Sequence, residues 1–124
     1  MKSSAPTAAD GLEIILKDDE ARSVLGLKGR LGIDSSPAFR DRLLALLQRE
    51  PSKAIVIDLT ELSYIDASGI ATLLEGLKIA RYRKITFCLE GLRGRMLHLF
   101  EVTGVLPLFE KEGCRRDSPE SKVS

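Results

Sequence analysis

The sequence predicts one α/β domain: a mixed, mainly parallel sheet with an N-terminal antiparallel hairpin, and helices packed on it. Three observations lead there. From Ala54 onward strand-like and helix-like runs alternate, the pattern of parallel strands joined by helical crossovers. Before that, two runs of period-two hydrophobicity flank the polar turn Asp18-Asp19-Glu20, as in a hairpin. The chain has 124 residues, 44% hydrophobic and 30% charged, which fits one compact soluble domain with its tails.

In chain order, residues 1–10 are small and polar and read as a disordered tail, 11–112 as the domain, and 113–124, charged and serine-rich, as a second tail. Leu12, Ile14 and Leu16 alternate with neighbours of mixed polarity, giving a first strand. Leu25, Leu27 and Leu31 give its partner, weakened by Gly26 and Gly29. Ser36-Pro37 reads as an N-cap followed by a first-turn proline. The stripe Phe39, Leu43, Leu46, Leu47 then carries a helix to about Glu50, where Pro51 stops it. Ala54 to Leu59 is nearly all apolar, as in a central strand covered on both faces. Ile85 to Leu89 reads as another strand. Met96, Leu99, Phe100 and Thr103 mark a short helix closed by Gly104, and Leu106 to Phe109 reads as an edge strand that tolerates Pro107.

The chemistry concentrates between Leu59 and Arg81. Ile70, Leu73, Leu74 and Leu77 recur at the spacing of one helix face. Ser68, two positions before Ile70, falls roughly opposite that face, and Thr72, Glu75 and Ile79 share its side. Asp66 is placed to cap the helix, because its carboxylate can accept from the first free N–H groups. Ser68 then lies in the first turn, where those groups and the macrodipole favour an anion. Gly69 beside it leaves room for an approaching partner. Two readings of Ser68 follow: a capping hydroxyl, or a hydroxyl presented for phosphorylation.

Other functions find less support. A net charge of +1 leaves no basic surplus for nucleic acid. No apolar run nears the ~20 residues of a membrane span. The first ten residues hold no hydrophobic signal core, so the expected compartment is the cytoplasm. Cys88 and Cys114 have no metal spacing and read as a buried small hydrophobe and a tail thiol. The single histidine, His98, has no second histidine for a metal pair. Ser68 lacks a Gly-x-Ser-x-Gly elbow, and no Walker or dinucleotide glycine pattern occurs. Asp58 follows an apolar strand, as a phospho-accepting aspartate does in receiver domains. Asp18-Asp19, however, fills a hairpin turn and not a magnesium-binding strand end, so Asp58 reads as a residue bonding to the following loop. Arg81, Arg83, Lys84, Arg93 and Arg95 read as solvated surface. No catalytic residue, metal site or cofactor is expected.

The run Val56-Ile-Asp-Leu-Thr-Glu-Leu-Ser-Tyr-Ile-Asp-Ala-Ser-Gly-Ile70 resembles the signature of the STAS domain family, which includes anti-sigma factor antagonists and cytoplasmic domains of sulfate transporters. Leu99-Phe-Glu-Val-Thr-Gly-Val105 is similar to the family's third helix and its closing turn. The resemblance spans roughly Leu12 to Glu110. It implies a mainly parallel mixed sheet and a non-enzymatic binding switch that regulates sigma-factor-dependent transcription. In the antagonists, an anti-sigma factor that is also a serine kinase binds the unmodified domain, phosphorylates the serine matching Ser68 and is released; a phosphatase resets the site. The implied partner surface is Ser63, Tyr64, Asp66, Ser68, Gly69, Thr72, Glu75 and Ile79, with Asp58 in support. One stretch departs from the pattern. Where antagonists commonly carry Gly-Glu-Leu/Ile-Asp, this chain has Gly29-Arg-Leu-Gly32. That leaves a second use open, as an unphosphorylated scaffold or a subunit of a membrane transport complex.

Overall fold

The computed structural model describes residues 7–49 and 53–110. The hairpin forms as expected. Strand β2 (Leu12–Asp18) pairs antiparallel with β3 (Arg22–Leu31), Leu12 opposite Gly29 and Asp18 opposite Ser23. A short strand β1 (Thr7–Ala9) adds to the outer side of β2, so residues 7–9 extend the sheet and do not belong to a tail. After β3 come helix α1 (Ser36–Leu47), strand β4 (Ala54–Ile65), helix α2 (Ala67–Arg83), strand β5 (Phe87–Glu90), helix α3 (Gly94–Val102) and a short helix α4 (Leu106–Glu110). The sheet order is β1-β2-β3-β4-β5, with β3–β4 and β4–β5 parallel. The mixed α/β fold expected from the sequence is thus present, with β1 as an additional antiparallel edge.

Strand β4 runs six residues past the apolar stretch that marks its start. Its inward residues are Ile55, Ile57 and Leu59, then Leu62 and Ile65. The step of three arises from register shifts against β3, where Gly26 and Lys28 face Asp58 and Glu61, and Gly29 and Arg30 face Leu62 and Tyr64. Each bulge breaks the alternation on which a strand is recognised. Residues 60–65 therefore look like a loop in the sequence although they belong to the sheet.

One apolar cluster joins the helices to the sheet. It includes Phe39, Leu43 and Leu47 of α1, Leu73 and Leu77 of α2, Phe100 of α3 and Phe109 of α4. The rings of Phe100 and Phe109 meet edge-on at 5.9 Å, and Phe109 lies 6.5 Å from Phe87. This ring contact places residues 106–110 as a helix and not the expected edge strand. Pro107 is the second residue of that helix, where a missing N–H has no cost. Helix α1 starts at Ser36 with Ser35 as its cap residue, one position earlier than expected; Pro51, its expected stop, lies outside the described residues. Helix α3 ends as expected. Gly104 takes φ +78°, its N–H reaches the Glu101 carbonyl, and Val105 N–H reaches Phe100. Cys88 on β5 is half-buried and disulfide-bonded, which corrects the expectation of a buried small hydrophobe there; Cys114 lies outside the described residues. No helix among the described residues is long and apolar enough to cross a membrane.

Candidate functional site

Two helices begin side by side at the carboxyl ends of neighbouring parallel strands. Strand β3 ends at Leu31 and leads into α1, and β4 ends at Ile65 and leads into α2. Adjacent parallel strands necessarily bring the following helices' N-termini together, and ligand sites in such sheets lie at this end. The junction is tight. A Cβ at Gly69 would stand 2.7 Å from Ile65 Cγ1 and 2.8 Å from the Leu31 carbonyl oxygen. Gly69 is buried, so its missing side chain serves the contact between α2 and the strand ends, not access for a partner.

Asp66 caps α2 as expected. Its Oδ1 accepts from Ser68 N at 3.0 Å, Gly69 N at 3.3 Å and the Ser68 hydroxyl at 2.6 Å. The Ser68 hydroxyl bond in particular holds the Asp66 carboxyl below the ordinary aspartate range; burial opposes it, and the N–H groups of Gly69, Ser68 and Ile33 reinforce it. Ser68 is half-buried and its Oγ accepts in turn from the Ser36 hydroxyl at 3.4 Å. Its proton therefore points at a carboxylate while its oxygen borders a shallow groove of about 330 Å³, lined by Ile33, Ser36, Pro37, Arg40, Asp41, Ser68, Ala71 and Thr72. Such a hydroxyl can accept a phosphoryl group brought by a partner. No group of three or more metal-binding side chains occurs among the described residues.

The stripe Ser68, Thr72, Glu75, Ile79 does not stand open to solvent: Ser68 and Glu75 meet α1, and none of the four is fully exposed. Thr72 is buried and donates to the Ser68 carbonyl at 3.0 Å. Glu75 receives a bidentate pair from Arg40 of α1, at 2.8 and 2.7 Å. That hydrogen bonding lowers the Glu75 carboxyl and raises the Arg40 guanidinium. Ile79 is half-buried against the core. The expectation that these residues point outward assumed that α2 buries one face only. It buries two, one on the sheet and one on α1, where Gly76 meets Leu43.

The remaining expected site residues divide. Tyr64 is 37% exposed, carries the Arg30 guanidinium 4.0 Å above its ring, and donates to Asp66 Oδ2 at 3.4 Å. Ser63 is exposed and donates to the Gly29 carbonyl. Asp58 does not join them. It sits within β4, seven residues before Ile65, roughly 20 Å away at about 3.3 Å per residue. It accepts from Thr60 N and Oγ1, so it braces the bulge between Asp58 and Glu61 within the strand. Ile33, Ser36 and Arg40 belong to the groove without having been singled out beforehand. Ile33 is 74% exposed, the apolar exposure that was expected of Ile79. The pairing of β3 with β4 would have located them, since it sets α1 beside α2.

Known proteins agree with this architecture. An anti-sigma-B factor antagonist of Listeria monocytogenes is 32% identical over 82 residues, which cover 66% of this chain and 71% of that protein. The crystal structure of an anti-sigma factor antagonist from Mycobacterium paratuberculosis superposes with a TM-score of 0.69 at 19% identity, over 90% of this chain and 91% of that one. The phosphorylated form of the Bacillus cell fate determinant SpoIIAA gives 0.65 at 17% identity, over 89% and 96%. The family model described as "Mlab, STAS domain" matches residues 15–108, and with the strand order and the capped Asp66-Ala-Ser-Gly69 turn described above, this chain belongs to the STAS domain family.

Proposed function

We propose that this protein is a cytoplasmic anti-sigma factor antagonist, non-enzymatic itself, that binds an anti-sigma serine kinase and is released by phosphorylation of Ser68. The observation that carries the reading is the Ser68 hydroxyl. It is held by Asp66 at the head of α2 and borders an open groove beside the exposed Ile33. The Listeria relative named as an antagonist supports the role, and the phosphorylated SpoIIAA structure shows that a protein of this fold is modified. The partner surface comprises Ile33 before α1, Ser63 and Tyr64 near the end of β4, Asp66 and Ser68 at the head of α2, and Glu75 two turns along it. Phosphorylation adds about −1.5 to −2 charges. At a docked interface that charge would be desolvated beside Asp66, and a penalty of ~3 kcal/mol would weaken binding about a hundredfold.

The test is a pull-down from lysate of the source organism with the parent chain and a Ser68→Asp variant as baits, both confirmed folded by circular dichroism. An ATP-binding kinase retained by the parent and lost with the aspartate is the expected result. Identical proteins on both baits would overturn the switch. Such a result would favour the second reading, a constitutive subunit of a membrane transport complex. Arg30 and Gly32 support that alternative, since they stand where the antagonist resemblance calls for acidic residues.

A further inference from the structure

We propose that Arg40 is the phosphate-receiving residue of the modified protein: when Ser68 carries a phosphate, the Arg40 guanidinium leaves the Glu75 carboxylate for it, and Glu75 loses its bidentate partner. The inference rests on the reading of Ser68 as the modified residue and adds where the charge goes.

Arg40 and Ser68 line the same groove from opposite helices. Ser36, one turn before Arg40 on α1, already touches Ser68 Oγ, so Arg40 begins about 6 Å further along α1, within the reach of an arginine side chain. In the unmodified protein the guanidinium is turned the other way, towards Glu75, with its planar fork spent on one carboxylate. Both side chains of that pair are substantially exposed, 47% and 39%, so the pair is weakly held and screened by water. A phosphate near dianionic charge offers the same fork a stronger bidentate partner. The groove is prepared for the added oxygens. The Ser36 hydroxyl, on a residue only 6% exposed, spans a long 3.4 Å to Ser68 Oγ and is free to rotate onto a phosphate oxygen. The charged groups facing the site are Arg40 and Asp41 from α1, Asp66 from the head of α2 and Glu75 from its third turn, with Lys78 beside Glu75. Arg40 is the cation among the groove-lining residues, which makes it the counter-charge.

The experiment installs phosphoserine at position 68 of the full chain during translation, with a suppressor tRNA, and follows its phosphorus NMR signal from about pH 4 to 8. A cation lowers the second ionisation of a phosphate, ordinarily near 6. The parent is expected to titrate about half a unit or more below an Arg40→Gln variant, a roughly threefold change in proton affinity. Arg40→Lys, which keeps the charge and loses the fork, should fall between them and serves as a milder second variant. Arg30→Gln should leave the titration at the parent value. In the parent, phosphorylation should also raise the Glu75 carboxyl towards its ordinary range, and in Arg40→Gln it should be raised already. Equal phosphate titration in the parent and Arg40→Gln would overturn the proposal, as would a shift produced by Arg30→Gln instead. No kinase is needed to install the phosphate. A failed pull-down therefore leaves this measurement intact, and a flat titration leaves the kinase reading intact.

Discussion

The Ser68 hydroxyl makes its shortest contact with the cap of its own helix, and that contact ties its chemistry to stability. Asp66 ionises more readily folded than unfolded. Its contribution is therefore complete above the unfolded value, near pH 4, and is lost as pH falls through the depressed folded value. A Ser68→Ala variant removes the largest cause of that depression. Urea unfolding at pH 7 should find it less stable than the parent by about 1 kcal/mol, as for a typical hydrogen bond to a cap. At pH 3 the gap should narrow, and an unchanged gap would show that the bond does not depend on an ionised Asp66. Gly69 sets a different limit. A methyl group there meets the Leu31 carbonyl oxygen, a backbone atom with little freedom to move. Gly69→Ala should cost about 1–3 kcal/mol despite alanine's better helix propensity. A denaturation midpoint equal to the parent's would mean that the strand end yields easily.

Among the elements, α2 is the most completely specified. Asp66 starts it and a left-handed residue ends it, but that residue is Lys84, with φ +61°. Lys84 N–H bonds to Arg81 and Ile85 N–H to Ala80, the pattern that glycine usually serves. Since Lys84 is exposed, Lys84→Gly should relieve backbone strain and raise stability by about 0.5–1 kcal/mol, read as a higher melting temperature. A fall instead would mean that the lysine side chain has a role of its own. The elements also show what the sequence conceals. The α2 cap and the Gly104 ending of α3 were legible because each depends on local residue types. The second half of β4 was not, because its bulges are answers to β3 and not to neighbours in sequence. The helix at 106–110 was not, because the aromatic contact of Phe109 with Phe87 and Phe100 outweighs local strand preference.

At the scale of the whole molecule, alternation of strands and helices was enough to give the α/β class and the hairpin, since both follow from hydrophobic period. The site was legible in part. Asp66 and Ser68 lie within one turn of chain, so their relation is fixed locally. Arg40 and Ser36 come from another helix, and Ile33 from the turn before it, and they became visible only with the sheet order. The same gap explains the misplaced stripe of Thr72, Glu75 and Ile79, whose exposure depends on α1. The proposed docking is therefore centred on the carboxyl ends of β3 and β4, where two helix heads and the exposed Ile33 converge.

The strand order carries one more consequence, for how the chain comes together. Each strand pairs with the strand before it in sequence, so Arg22 meets Ala54 and Ile55 meets Phe87. Closing each parallel pairing spans one helical crossover and never the whole chain, which keeps the entropy of loop closure small. Assembly can thus proceed in the order of synthesis: the hairpin first, then β4 added beside it, then β5. The Ser68 turn emerges directly after β4, once β3 and α1 are available to receive it. The contacts of that turn with Leu31, Ser36 and Ile65 come from chain made before it, and not from the last two helices.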